Sequence, residues 1–266
     1  MSFFSNNFFE GQMQKFLNEA EKPWILVTVR RTGGTNLATF MNRLSSFRTI
    51  QHEPFNSGRK YGEITDQFIS SRDIHSLNSA IVEVLDQKIN IKHCFDTVPA
   101  EVTQALLSAA IKRNYRIVIL TRKDEVARLL SLGAAKATGV WTKKAASEKY
   151  PSIVLGSGQV RSIDISYLLR TANVTTRNIG LILTLLRNHN SPYLWVLFED
   201  LYTKNTEKEK TAMMIADFVG IDRQKVQYQL EWFMELQSQN TKEVLPHFSN
   251  VREVREKLSR LFPLYH

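Results

Sequence analysis

Residues Trp24–Asn42 read WILVTVRRTGGTNLATFMN, and the order of residue types in this stretch decides the fold. From Trp24 to Val29 the side chains are apolar or β-branched, the composition of a strand. Arg30, Arg31 and the turn Thr32-Gly33-Gly34-Thr35 follow, and then Leu37, Phe40, Met41 and Leu44 recur at the i, i+3, i+4, i+7 spacing of one helix face. The predicted order is strand, tight glycine turn, helix. Such a junction aims backbone N–H groups and the positive end of a helix at one point. Thr32, Thr35 and Asn36 add side-chain donors, Gly33 and Gly34 let an anion approach the backbone, and Arg30 and Arg31 place fixed charge beside it. The stretch predicts a phosphate cradle, and the glycine pair alone is equally compatible with a plain βα turn.

The cradle is not that of a common nucleoside-triphosphate site. The pattern G-x-x-x-x-G-K-S/T is missing, so no lysine follows the glycines to reach a γ-phosphate, which disfavours adenylate or guanylate kinase chemistry.

At 266 residues the chain suits one large α/β domain, 1–266, and a hydrophobic fraction of 43% is ordinary for a globule and excludes disorder as the default. A net charge of +9 and a pI near 9.6 favour an anionic partner, whether nucleic acid, membrane surface or phosphorylated ligand. The basic residues are scattered, without the basic run or aromatic interleaving of a nucleic-acid surface, so no nucleic-acid partner is expected. Cys94, the single cysteine, excludes an internal disulfide, and no Cys/His set has zinc-ligand spacing. With neither a signal-peptide pattern nor a long apolar run, the expectation is a cytoplasmic protein without a transmembrane segment.

Residues 1–22, with Phe3, Phe4, Phe8, Phe9 and Phe16 among polar residues, predict an N-terminal arm or amphipathic helix. Phe47–Phe55 predicts a short strand in which Pro54 holds Glu53 extended, and Asn56–Ile64 a mobile loop. Further strands are expected at Ile89–His93, Tyr115–Thr121 and Tyr193–Phe198, and helices at Ile74–Gln87, Pro99–Arg113, Asp164–Asn190 and from Thr206 onward. The helix after Tyr115–Thr121 puts its apolar-to-small stripe inward and Asp124, Arg128 and Ser131 on the opposite face. Residues 139–163, rich in Gly and Pro and poor in periodicity, predict a long loop or lid beside a site. Strands alternating with helices indicate a parallel central sheet flanked by helices. Its ligand is then expected at the strand ends Arg30–Thr35, His52–Glu53, Lys92–His93, Arg122–Asp124 and Glu199–Asp200. Glu199 and Asp200 read best as capping groups for neighbouring loops, and His52 and His93 as structural histidines.

Four of these strand-end stretches, in this order, resemble the sulfotransferases that use 3′-phosphoadenosine-5′-phosphosulfate (PAPS), especially the bacterial carbohydrate type that includes trehalose and nodulation-factor sulfotransferases, and a C-terminal stretch adds a fifth likeness. Arg31–Thr35 is similar to the family's phosphosulfate loop, with Thr32 in place of serine and Gly34 where a hydroxyl residue is usual. Ile119–Trp141 resembles the pattern L-T-R-x-D-x-x-A-x-x-x-S-L followed by T-G-x-W, in which Arg122 and Ser131 match the pair that binds the 3′-phosphate. His52-Glu53-Pro54-Phe55 is similar to an element that supplies a catalytic carboxylate. Leu197–Leu201 and Phe248–Leu258 resemble a strand end and a C-terminal motif of the family.

The resemblance implies a P-loop-like sulfotransferase fold and transfer of a sulfuryl group to a hydroxyl acceptor, a carbohydrate or glycolipid, leaving adenosine 3′,5′-bisphosphate; a homodimer is compatible with it. It implies Glu53 as the catalytic carboxylate, with Arg31, Thr32, Gly33, Gly34, Thr35, Arg122 and Ser131 on the donor. The residues themselves add Arg30 and Asn36 to the donor cradle, Arg31 as the catalytic cation, and Lys92 as an assisting catalytic group or equally a solvated strand-end lysine, and they call for no metal. The competing readings are a P-loop-like nucleotide kinase or hydrolase, which needs Mg²⁺ and a phosphate-gripping lysine, and a non-enzymatic binder of nucleic acid or another polyanion.

Overall fold

The computed structural model describes residues 19–50, 53–158, 160–203, 205–235 and 241–262. Most of the predicted N-terminal arm, and His52, lie outside the described residues. The elements run β1 (Trp24–Thr28), α1 (Gly34–Leu44), β2 (Thr49–Ile50), α2 (Gly62–Ser71), α3 (Ile74–Asp86), β3 (Asn90–Cys94), α4 (Ala100–Lys112), β4 (Arg116–Thr121) and α5 (Glu125–Thr138). They continue with α6 (Lys143–Val154), α7 (Ile165–Asn188), β5 (Tyr193–Leu197), α8 (Phe198–Tyr202), α9 (Asn205–Val219), α10 (Arg223–Glu235), α11 (Thr241–Val244), a 3₁₀ turn (Leu245–His247) and α12 (Val251–Leu261).

The sheet is parallel throughout, in the order β2-β3-β1-β4-β5. Register sets Ile25 beside Ile91 and Ile117, and Val118 beside Leu194. Successive side chains of a strand leave on opposite faces. Accordingly Ile25, Val27, Ile91, Ile117 and Ile119 share one core layer with the helix residues Leu77, Ile81, Leu106 and Leu186, while Trp24, Leu26, Val118, Leu120 and Val196 share the other with Leu37, Phe40, Ile215 and Phe233. Both faces are covered, which is why β1 and β4 read as unbroken apolar runs. A third cluster, from Leu129, Leu132, Tyr150, Ile163, Leu168, Phe248 and Leu258, joins α5, α6, the start of α7 and the C-terminal helices without a strand residue.

Three local expectations are corrected. Of the predicted strand over Phe47–Phe55, Thr49–Ile50 is strand, residues 51 and 52 lie outside the described residues, and Glu53 is left-handed at φ 50 rather than extended. Pro54 biases its predecessor toward extended geometry, and Glu53 takes the left-handed region in spite of that bias. The predicted loop over Asn56–Ile64 already enters α2 at Gly62. The predicted loop or lid over 139–163 contains α6, capped by Thr142, whose Oγ1 accepts from the Ala145 N–H at 3.1 Å. Its inward residues Ala146, Tyr150 and Ile153 keep helical spacing in spite of Pro151.

Candidate functional site

Strand β1 ends between β3 and β4, and the chain visits the β3 side before crossing to β4. The loop leaving β1 therefore sits at the sheet's topological switch point, where ligands of open parallel sheets bind. Arg31 (φ 71) and Gly33 (φ 76) are both left-handed there. Thr32 was expected to face the anion; instead its Oγ1 donates to the Val29 carbonyl at 2.7 Å and lies 2.6 Å from Thr28 Oγ1, so its hydroxyl knits the loop together. The Gly33 carbonyl accepts from the Asn36 and Leu37 amides and from the Tyr202 hydroxyl at 2.9 Å. A Cβ on Gly33 would lie 2.4 Å from Tyr202 Cε2, so the ring occupies the space a larger residue would need.

Lys92 reaches this loop from the middle of β3. Its Nζ donates to Thr35 Oγ1 at 2.9 Å and to the Glu53 carboxylate. The lysine stem lies over the first turn of α1, where a Cβ on Gly34 would stand 3.3 Å from Lys92 Cε and 3.0 Å from Thr28 Cγ2. Gly34, a departure from the resembled motif, thus fits a lysine laid across the turn. Side-chain exposure of 7% for Lys92 and 22% for Glu53 leaves the carboxylate the more accessible partner. Thr35 is exposed at the mouth of the cradle, and Asn36 is half-buried behind it.

The two arginines part company. Arg30, expected on the donor, is held by Asp96, which accepts from its Nε at 2.8 Å and its backbone N–H at 3.2 Å and so fixes the loop. The Asp96 side chain is fully buried, and its charge offsets the cost of burying the guanidinium. Arg31 turns away from the cradle: its Nε donates to Ser131 Oγ at 2.9 Å and its Nη2 to Thr241 Oγ1 at 3.1 Å, while Ser131 donates to Thr241 at 3.2 Å. Arg31 and Ser131, expected at opposite ends of the donor, are thus in direct contact. Burial, with the nearby Arg122 charge acting in the same direction, lowers the Arg31 pKa.

Arg122 stacks over the Phe198 ring at 4.3 Å from its centroid, and its Nε stands 3.8 Å from Glu199 Oε1, beyond hydrogen-bond range. That Nε is buried and has no hydrogen-bond partner among the described residues. Glu199 itself accepts from the Lys123 and Asp124 amides at 2.8 and 3.1 Å, the capping role read from the sequence. Ser131 is 8% exposed rather than solvated, because the polar face of α5 is covered by the loop after β1. Arg128 on the same face is fully buried, held by Glu125 and donating from Nη1 to the Arg30 carbonyl at 3.2 Å. His93 is buried, lies 2.8 Å from Thr103 Oγ1, and burial lowers its pKa to about 4, so it stays neutral and structural.

The strand ends thus hold two groups of anion-seeking side chains on one loop: Lys92 with Thr35 over the start of α1, and Arg31 with Arg122, Ser131 and Thr241 toward α5. Thr241, Asp96 and Arg128 were not found from the sequence. The Asp in Cys94-Phe95-Asp96, two residues past a strand, is the one local signal that a buried counter-charge was present.

No family model matches the sequence. A comparison with curated proteins gives no match either. Among the described residues, no three or more His, Cys, Asp or Glu side chains gather to hold a metal ion, and no helix is long and apolar enough to cross a membrane.

Proposed function

We propose that this chain is a sulfotransferase that moves a sulfuryl group from PAPS to a hydroxyl acceptor, a carbohydrate or glycolipid. The observation that carries the reading is the pair of cationic groups flanking one loop, Lys92 with Thr35 and Arg31 with Ser131 and Thr241. A nucleotide bearing anions at both 5′ and 3′ positions matches two such groups. The buried Arg122 Nε, without a hydrogen-bond partner among the described residues, fits a further acceptor atom there.

In this reading Lys92 and the first amides of α1 hold the 5′-phosphosulfate end. Glu53 takes the proton of the acceptor hydroxyl as its oxygen bonds to sulfur and the bond from sulfur to the phosphate oxygen breaks. Lys92 neutralises the charge that departs on that phosphate, and such positioned electrostatics supply most of the catalysis in related group transfers. Because Lys92 already binds Glu53, the anion and the carboxylate compete for one ammonium. Anion capture by Lys92 releases Glu53 toward the acceptor, so donor binding precedes acceptor activation.

The test is twofold. Adenosine 3′,5′-bisphosphate without Mg²⁺ should raise the melting temperature, by the equivalent of about 2.7 kcal/mol at 100-fold excess over Kd. Labelled sulfate should pass from PAPS to material in a carbohydrate or lipid extract. No melting shift at millimolar ligand overturns the reading. One observation favours a second reading, a nucleotide kinase or hydrolase: Lys92 supplies from β3 a phosphate-gripping lysine on the loop. A melting shift with ATP only when Mg²⁺ is present, and none with the bisphosphate, would select it.

A further inference from the structure

The group around Arg31 holds more hydrogen-bond donors than acceptors. Thr241 Oγ1 already accepts from Arg31 Nη2 and from Ser131, which leaves its own proton to give away. Arg122 Nε–H is buried without a hydrogen-bond acceptor among the described residues. Tyr150 on α6 is 5% exposed, and its hydroxyl is likewise buried with no partner among the described residues. Its helix packs against α11, which carries Thr241, and a charge on the Tyr150 oxygen would raise the Arg31 pKa, which places the hydroxyl near that guanidinium. A buried hydroxyl left unmatched costs about 1–3 kcal/mol. The Tyr150 and Thr241 protons and the Arg122 Nε–H, beside the Arg31 guanidinium, are matched together by a ligand that only accepts.

We infer that Tyr150 and Thr241 are binding residues for a tetrahedral phosphate dianion held between Arg31, Arg122 and Ser131, and that Tyr150 sets the preference for nucleotides bearing a second phosphate. In identifying the dianion with the 3′-phosphate of a nucleotide, the inference rests on the sulfotransferase reading. It gives the segment 139–163 a chemical role: α6 brings the Tyr150 hydroxyl to the site from a part of the chain whose sequence carries no phosphate-binding pattern.

The experiment is calorimetric titration of wild type and Tyr150→Phe with adenosine 3′,5′-bisphosphate and with AMP, and of both proteins in a Lys92→Met background with inorganic phosphate. Tyr150→Phe removes a buried hydroxyl with no protein partner among the described residues, so melting without ligand should not fall and should rise if the hydroxyl is unmatched without ligand. It should weaken the bisphosphate about tenfold, the size of one hydrogen bond to a charged group, and leave AMP as in wild type. Equal affinity for the bisphosphate in both proteins, or equal losses for both nucleotides, overturns the assignment. If wild type binds neither nucleotide, the sulfotransferase reading falls and phosphate decides: a tenfold loss in Tyr150→Phe upholds the dianion site, whereas equal binding or none at millimolar phosphate overturns it.

Discussion

Lys92 on β3 and Glu53 before Pro54 form a hydrogen-bonded ion pair, with the Thr35 hydroxyl as the ammonium's second acceptor. Glu53→Gln keeps shape and hydrogen bonding but removes both the base and the charge that occupies Lys92. Turnover should fall by about 10²–10⁴-fold, the usual contribution of a general base. Bisphosphate affinity should rise, since Lys92 then meets an anion without a competitor. Weaker nucleotide binding would make Glu53 a loop-ordering residue instead, and full activity would remove both roles.

Arg31 and Ser131 are bonded, so their effects on nucleotide binding should not add. A double-mutant cycle of Arg31→Ala and Ser131→Ala, read by bisphosphate affinity, should give a coupling of about 0.5–3 kcal/mol. The same cycle with Arg30→Ala should be additive, because Arg30 is held by Asp96. Coupling to Arg30 as large as to Arg31 would contradict the division of the two arginines.

Gly34→Ser restores the hydroxyl that the resembled motif favours, and on resemblance alone it should help. The geometry gives the opposite outcome, because the new Cβ meets Thr28 at 3.0 Å and Lys92 Cε at 3.3 Å and pushes the ammonium off Thr35. Turnover should drop, by less than the roughly 10²-fold of a full ångström of misplacement, because contacts at 3.0 and 3.3 Å call for a shift of a few tenths of an ångström. Gly33→Ala acts on stability instead: the left-handed backbone alone costs about 1–2 kcal/mol, and the Cβ collides with Tyr202. Thermal melting of Gly33→Ala in wild-type and Tyr202→Leu backgrounds separates strain from collision, and a smaller loss in the second is expected.

His93 predicts a pH dependence. Its pKa of about 4 in the fold lies below the value near 6.5 of an unfolded histidine, so between these values the unfolded chain binds more protons. Stability should therefore rise with pH across that window, with up to about 3 kcal/mol lost on acidification through it. His93→Gln keeps a polar partner for Thr103 and should flatten the slope. An unchanged slope in chemical denaturation between pH 4 and 6.5 would assign the acid sensitivity elsewhere.

The sheet was legible because β1 and β4 are buried on both faces and so carry no competing polar pattern. Glu199 was legible as a cap because its partners, the amides after Arg122, belong to the next strand end. Helix α6 was hidden by Pro151, Gly156 and Gly158, although Thr142 and the spacing of Ala146, Tyr150 and Ile153 carried its signature. The course of Arg31 was not legible: a left-handed residue sends its side chain where neither neighbour's pattern points, toward partners 100 and 210 residues away. The burial of Arg128 and Ser131 was not legible because a polar helix face reads alike whether water or another polar loop covers it.

The bond from Arg31 to Thr241 also sets a schedule for the chain during its synthesis. The last strand of the sheet ends at Leu197, so every strand can pair before Thr241 has been added. At about 5–20 residues per second, translation leaves the nascent protein for some seconds with its Lys92 cradle assembled and its Arg31 group lacking Thr241. A ligand that needs both groups can restrain the finished protein against unfolding but cannot guide the order in which the sheet forms. Chains stalled between α9 and α11 would carry the sheet and fail to retain the nucleotide.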